Sequence, residues 1–153
     1  MPKPISPSGL QDHLGYWLRY VSNQVSHSFS LKLAARDVTV AEWVVLRELY
    51  DVDAMAPSAL ADKLGMTRGA ISKLAERLLG KSLLTRAPGE KDRRYHALAL
   101  SDAGRTLVPE LSALADQNDA EFFGDLTRED RAMVQRLMMG IVRRHALRVT
   151  PID

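Results

Sequence analysis

Between Arg68 and Arg94 the chain places eight basic side chains, at positions 68, 73, 77, 81, 86, 91, 93 and 94, against three acids, Glu76, Glu90 and Asp92. All 153 residues together are only +2, so this stretch, at net +5, is more positive than the whole protein and the remainder is net negative. A localised cationic patch is chemistry for binding a polyanion. Within it Ile71, Leu74, Ala75 and Leu78 recur at helical spacing and define a buried side. Gly69, Ser72, Lys73, Glu76 and Arg77 then face outward, with Arg68 at the flank. Such a set can read a duplex. Arginine bonds two acceptors of guanine at once, serine and threonine bond bases or phosphates, and a helix N-terminus favours a phosphate. Thr67 can cap this helix and touch phosphate as well. Gly69 costs about 1 kcal/mol of helix propensity against alanine, which close approach of DNA to the backbone can offset.

A second basic element follows. In "PGEKDRR" the dipeptide Pro88-Gly89 is a turn signal between two short strands, Leu83 to Ala87 and Tyr95 to Leu100, with His96, Leu98 and Leu100 on one face. Lys91, Arg93 and Arg94 crowd the tip of that hairpin, and an arginine there suits a narrow minor groove while the helix fills the major one. Asp92 either orients one of these arginines through a salt bridge or bonds its own backbone as a turn residue.

Helices must position the two basic elements. From Gln11 to about Arg36, Leu14, Trp17, Leu18, Val21, Val25, Phe29 and Leu33 mark one face of a long first helix. Thr39 and Glu42 form a capping box for a second, whose apolar residues Val40, Trp43, Val44, Leu46 and Leu49 wrap broadly around the axis, as in a helix buried on more than one side. Pro57 opens a short third helix bearing Leu60, Ala61 and Leu64, and Gly65 ends it just before the basic helix. After the hairpin, Ser101 caps a fifth helix to about Phe122 with a kink expected at Pro109, and Thr127 starts a sixth with the stripe Val134, Leu137, Met138 and Ile141. Short helix, glycine turn, helix and hairpin make a winged helix-turn-helix.

Catalysis has little to stand on. Gly80-Lys81-Ser82 matches the end of a phosphate-binding loop, but Ala75 stands where that loop needs glycine. His13, His27, His96 and His145 lack metal-ligand spacing, and there is no cysteine. We therefore expect no enzyme, no metal and no cofactor. Zero cysteines, an N-terminal segment "MPKPISPSG" unlike a signal peptide, and no apolar run near the roughly 20 residues of a membrane helix point to a cytoplasmic protein with no membrane partner.

The stretches "VTVAEWVVLREL", "PSALADKLGMTRGAISKLAERLLGKSLL", "KDRRYHALALSDAGR" and "LTREDRAMVQRLMMGI" resemble, in order, the multiple-antibiotic-resistance-regulator (MarR) family of bacterial transcription factors. Asp92 and Arg94 fall on that family's Asp-x-Arg in the wing; Ala56 departs from its frequent Ser or Thr helix cap, and Gly89 from its frequent wing Asp. The resemblance implies a mainly α fold, with a winged helix-turn-helix DNA-binding lobe at 37–101 between dimerisation helices at 1–36 and 102–153. It implies a homodimer on a pseudo-palindromic promoter site in double-stranded DNA, acting more as repressor than activator, with affinity lowered by a small aromatic or lipophilic effector. The family's effector pocket lies between the dimer helices and the DNA-binding lobe. That makes His13, Trp17, Tyr20 and Gln24, on one flank of the first helix, together with Trp43, the candidate lining. The other reading of that flank is dimer packing around a hydrogen-bonded histidine. A winged-helix module that binds protein instead of DNA is the alternative function, against which the three cations of the wing tip count.

Overall fold

The computed structural model describes residues 1, 5–88 and 96–152. A 3-10 turn at Leu10–Asp12 precedes helix α1, Leu14–Ala34. α1 starts three residues later than the apolar spacing predicts. Asp12 turns back to accept the Gly9 N–H at 2.8 Å, and the indole N–H of Trp17 donates to the Gln11 carbonyl at 2.9 Å, so these residues close a tight turn instead of the first helical one.

Helix α2, Val40–Tyr50, begins with the expected reciprocal cap: Thr39 Oγ1 accepts the Glu42 N–H at 3.1 Å and a Glu42 carboxylate oxygen accepts the Thr39 N–H at 3.2 Å. Helix α3, Pro57–Leu64, has Pro57 in its first turn and Ala56 as an N-cap with no side-chain bond. Gly65 ends it in the left-handed region, φ 65°, and Thr67 opens helix α4, Arg68–Gly80, by accepting the Ala70 N–H at 3.1 Å. The hairpin strands are β1, Leu84–Pro88, and β2, His96–Leu100, antiparallel with Leu84 opposite Leu100 and Pro88 opposite His96. β1 starts one residue later than predicted because the Leu83 N–H is used to close the end of α4 on the Leu78 carbonyl. His96 is exposed although Leu98 and Leu100 on the same face are buried, because it sits at the outer end of the hairpin, beyond the core. Met55 exchanges two backbone hydrogen bonds with Leu98, which ties the α2–α3 connection to the hairpin.

Ser101 joins the hairpin to helix α5, Asp102–Phe123: its hydroxyl accepts the Gly104 N–H at 3.0 Å and donates to the Ser82 carbonyl at 2.7 Å. α5 continues through Pro109 as one helix. Helix α6, Arg128–Arg144, is capped by Thr127.

The architecture is a winged helix-turn-helix core flanked by long N- and C-terminal helices, mainly α. Its core gathers on α2, whose Val45, Leu46 and Leu49 are buried with Leu33 of α1, Leu60 of α3, Ile71 and Leu78 of α4, and Val108 and Leu111 of α5. Apolar burial on this scale supplies the driving force for the fold. α5 is also tied to α1 by polar contacts: Lys32 donates to Ser28, Asn118 and Glu121, while the buried Asn118 donates to the Val25 carbonyl at 3.2 Å.

Beyond α6 the chain returns to the helix-turn-helix. The Thr150 hydroxyl donates to the Leu64 carbonyl, and the Arg148 carbonyl lies where a β-carbon on residue 65 would be. Gly65 is therefore required twice, by its positive φ and by this close approach. Gly65→Ala should destabilise the protein by more than about 1 kcal/mol. Urea unfolding monitored by circular dichroism would measure this, and an unchanged midpoint would contradict the close packing of residues 148–150.

Candidate nucleic-acid interface

α4 presents the interface. Its apolar stripe packs inward, with Ile71 and Leu78 fully buried, and this turns Arg68, Gly69, Ser72, Lys73, Glu76 and Arg77 toward solvent. Thr67 is exposed at the N-terminus, where unpaired backbone N–H groups and the helix dipole favour an anion. A β-carbon added at Gly69 would meet nothing within 4 Å, so the protein's own packing does not call for glycine there and the backbone is open to close approach from outside. Neither Arg68 nor Lys73 is ion-paired with another described residue.

The remaining charges of α4 are engaged. Glu76 pairs with Arg86 of β1. Arg77, expected as a free guanidinium on the outward face, turns to α2 instead: its Nε and Nη2 donate to one oxygen of Glu42, at 3.0 and 2.5 Å. Lys81 donates to the other oxygen at 2.9 Å and to the Asp37 carbonyl at 2.5 Å. The Glu42 side chain is 0 % exposed, and a buried carboxylate requires such partners. The sequence marked Glu42 only as half of a capping box, and Lys81 only as one cation of the basic patch and part of a spurious phosphate loop. The clue available was an acid within a helix whose apolar residues wrap all round it. Burial pushes the Glu42 carboxyl up, but the bonds from Lys81, the Thr39 N–H and Arg77 outweigh it and hold the group below its ordinary value of 4.5.

The wing residues Lys91, Asp92, Arg93 and Arg94 lie outside the described residues. The hairpin that leads to them is anchored beside α4 by Leu84, Leu98 and Leu100 in the core.

In the single chain the expected effector lining is divided between two places. A concavity of about 290 Å³ lies where the C-terminal half of α1 faces α2 and α5, lined by Val25, Phe29, Val40, Trp43 and Asn118, with Pro151 at its border. Of the expected lining residues the structure brings only Trp43 to it. His13, Trp17, Tyr20 and Gln24 are exposed, because the N-terminal half of α1 carries its apolar face past the body of its own chain: Leu14 is 88 % and Leu18 59 % exposed. Among the described residues no His, Cys, Asp and Glu cluster could hold a metal ion, and no helix is long and apolar enough to cross a membrane.

Residues 38–96, from just before α2 to the first residue of β2, match the model of the MarR family. The chain is similar to the MarR family over this lobe. It is a DNA-binding transcriptional regulator of the winged helix-turn-helix type. An HTH-type transcriptional regulator of Bacillus cereus is 27% identical over 137 residues, 85% of this chain and 88% of that one. The HTH-type transcriptional regulator MgrA of Staphylococcus aureus is 28% identical over 109 residues, covering 71% of this chain and 74% of its own. Among solved structures, BpsR of Bordetella bronchiseptica, described for the regulation of its DNA binding by 6-hydroxynicotinic acid, superposes with a TM-score of 0.77 at 25% identity, covering 89% of this chain and 97% of that one.

The lowered Glu42 pKa carries a pH dependence with a fixed sign. A carboxyl whose folded-state pKa lies below its unfolded value contributes stability above about pH 4.5, and that contribution is lost as the pH falls through the folded value. Glu42→Gln should lower stability at pH 7 by about 1–3 kcal/mol. The gap between variant and wild type should narrow as pH falls below about 4.5, the ordinary carboxyl value. Melting temperatures from pH 7 to pH 3 would check both, and a gap constant with pH would contradict the lowered pKa.

Proposed function

We propose that this regulator is a ligand-responsive repressor of the MarR family that binds a pseudo-palindromic promoter site as a homodimer. The observation that carries the reading is the pairing of a cationic, unobstructed N-terminal half of α4 with two uncovered apolar faces at the chain ends. α6 has no buried residue, and Val134, Leu137, Met138 and Ile141 along it are 43 to 58 % exposed. Leu14, Trp17, Leu18 and Val21 of α1 are exposed as well. Apolar faces of this extent mark an association surface, and a two-fold pair of identical chains covers each with its own counterpart. Residues 1–36 and 102–153 then serve dimerisation and 37–101 serves DNA. The pair would set two α4 helices about 34 Å apart, on successive major grooves of one duplex face.

In this reading Arg68, Ser72 and Lys73 meet the major groove, with Thr67 and Gly69 at the phosphate. Arg77 supports them from behind, and Lys91, Arg93 and Arg94, with Asp92 among them, reach the adjacent minor groove. The effector is a small aromatic or lipophilic molecule seated against Trp43 and Phe29 in the cleft. The regulation of BpsR by 6-hydroxynicotinic acid supports an effector of this size. The exposed flank His13, Trp17, Tyr20 and Gln24 belongs to the dimer surface and borders the cleft only through the second copy.

The test is fluorescence anisotropy with a labelled fragment from upstream of the protein's own gene and a scrambled control. With about six phosphate contacts, doubling the salt should weaken binding roughly fortyfold. Lys73→Ala should weaken both duplexes alike and flatten the salt slope by about one unit. Binding that ignores salt would sink the DNA reading, and an unchanged slope would remove Lys73 from the phosphate contacts. Leu137→Glu should give a monomer by analytical ultracentrifugation and weaken operator binding about a hundredfold or more through lost bivalency. A variant that stays dimeric would contradict the role of α6.

A further inference from the structure

Glu42 does more than cap α2. Both of its carboxylate oxygens are doubly occupied: one by Arg77 Nε and Nη2, the other by Lys81 Nζ and the Thr39 N–H. Arg77 in the last turn of α4 and Lys81 at its C-cap stand four residues apart, so the acid grips the C-terminal end of the recognition helix at two points. The grip is one-sided in its consequences. Arg77 and Lys81 keep 51 % and 28 % of their side-chain surface in solvent, while the carboxylate between them has none. Either cation could be drawn to a passing phosphate only by leaving a buried negative charge without its partner, which costs more than an exposed phosphate contact returns.

We propose that Glu42 is a specificity-determining positioning residue for DNA recognition, holding Arg77 and Lys81 away from the phosphate backbone and thereby fixing the depth and angle at which Arg68, Ser72 and Lys73 enter the groove. The three cations of α4 and Lys81 at its C-cap thus divide by function. Arg68 and Lys73, unpaired with any described residue, act on DNA directly. Arg77 and Lys81 act on it only through Glu42. The inference rests on the DNA-binding reading and deepens it, because it separates residues that touch the duplex from residues that aim them.

Salt dependence tells the two roles apart, since a phosphate contact releases a counterion and a positioning contact does not. The duplex used is one enriched by the wild-type protein from a random-sequence pool, compared with a scrambled duplex of equal length. Arg77→Gln should leave the salt slope within about 0.3 of wild type, against a loss of about 1 for Lys73→Ala, while the preference for the selected duplex falls about tenfold. Glu42→Gln should steepen the slope by about 1 or more as the freed cations reach phosphate, tighten binding to the scrambled duplex, and also lose preference. Circular dichroism establishes that each variant is folded. Arg77→Gln leaves Lys81 and the Thr39 N–H on the Glu42 carboxylate, and it decides the matter if Glu42→Gln does not fold. A slope flattened by about 1 in Arg77→Gln would make Arg77 a phosphate contact and overturn the proposal. So would an undiminished preference in that variant. A wild-type protein that enriches no sequence fails the DNA-binding reading itself and takes the proposal with it, an outcome distinct from the other two.

Discussion

A carboxylate with no access to water is the constraint around which this fold is arranged. Glu42 can be ionised inside the protein only if its oxygens are filled by donors, and those donors come from three places: its own helix cap, the last turn of α4 and the C-cap of α4. Apolar packing brings α2 and α4 together through Leu46, Leu49, Ile71 and Leu78, but such contacts are not directional and tolerate small rotations. Ion pairs with fixed geometry at two points do not. The core decides that α4 lies on α2; Glu42 decides how.

The same turn of α2 faces two ways. Thr39 and Glu42 look toward α4, while Val40, Trp43 and Val44 form a wall of the cleft between α1, α2 and α5. Helix geometry makes this unavoidable, since adjacent residues point about 100° apart. Anything that presses on Trp43 presses on the segment that holds Arg77. On the far side of the cleft, Asn118 is fixed by Lys32 and by the Val25 carbonyl, so α1 and α5 form a stiff opposing wall. Of the walls of this space, α2 is the one hydrogen-bonded to α4, through Glu42 and Arg77.

The sequence made some of this legible and left some hidden, for physical reasons. Helix starts were readable where a cap is chemical and local: Thr39, Thr67, Ser101 and Thr127 all accept the N–H expected of them. The start of α1 was not, because the spacing of Leu14, Trp17 and Leu18 carries no mark of the Trp17 indole reaching back to Gln11. The outward face of α4 followed from periodicity. The fate of Arg77 did not, because periodicity gives direction from one helix axis and says nothing of a carboxylate arriving from another. The lining of the cleft was legible only in part for a related reason. An apolar stripe 20 residues long reads as one surface, yet only its C-terminal half meets α2 and α5, and its N-terminal half extends past the body of its own chain.

The helix-turn-helix is constrained from outside as well as from its core. Gly65 turns the chain in a left-handed conformation between the two helices, and the segment after α6 lies across that turn, its Thr150 hydroxyl bonded to the Leu64 carbonyl and its Arg148 carbonyl in the space a side chain would fill. Leu64 itself is buried on the inner side. The turn is thus gripped between the core and a strand of chain that begins at the end of α6, the helix whose apolar face is uncovered. An apolar face covered by a second copy would restrict where α6 ends. Through residues 147–151 it would also restrict the turn that sets the start of α4. Glu42 holds the far end of the same helix. The recognition helix is therefore fixed at its C-terminal half by a buried charge and at its N-terminal turn by the path of the chain beyond α6, so its orientation answers both to α2 and to the segment at 148–150.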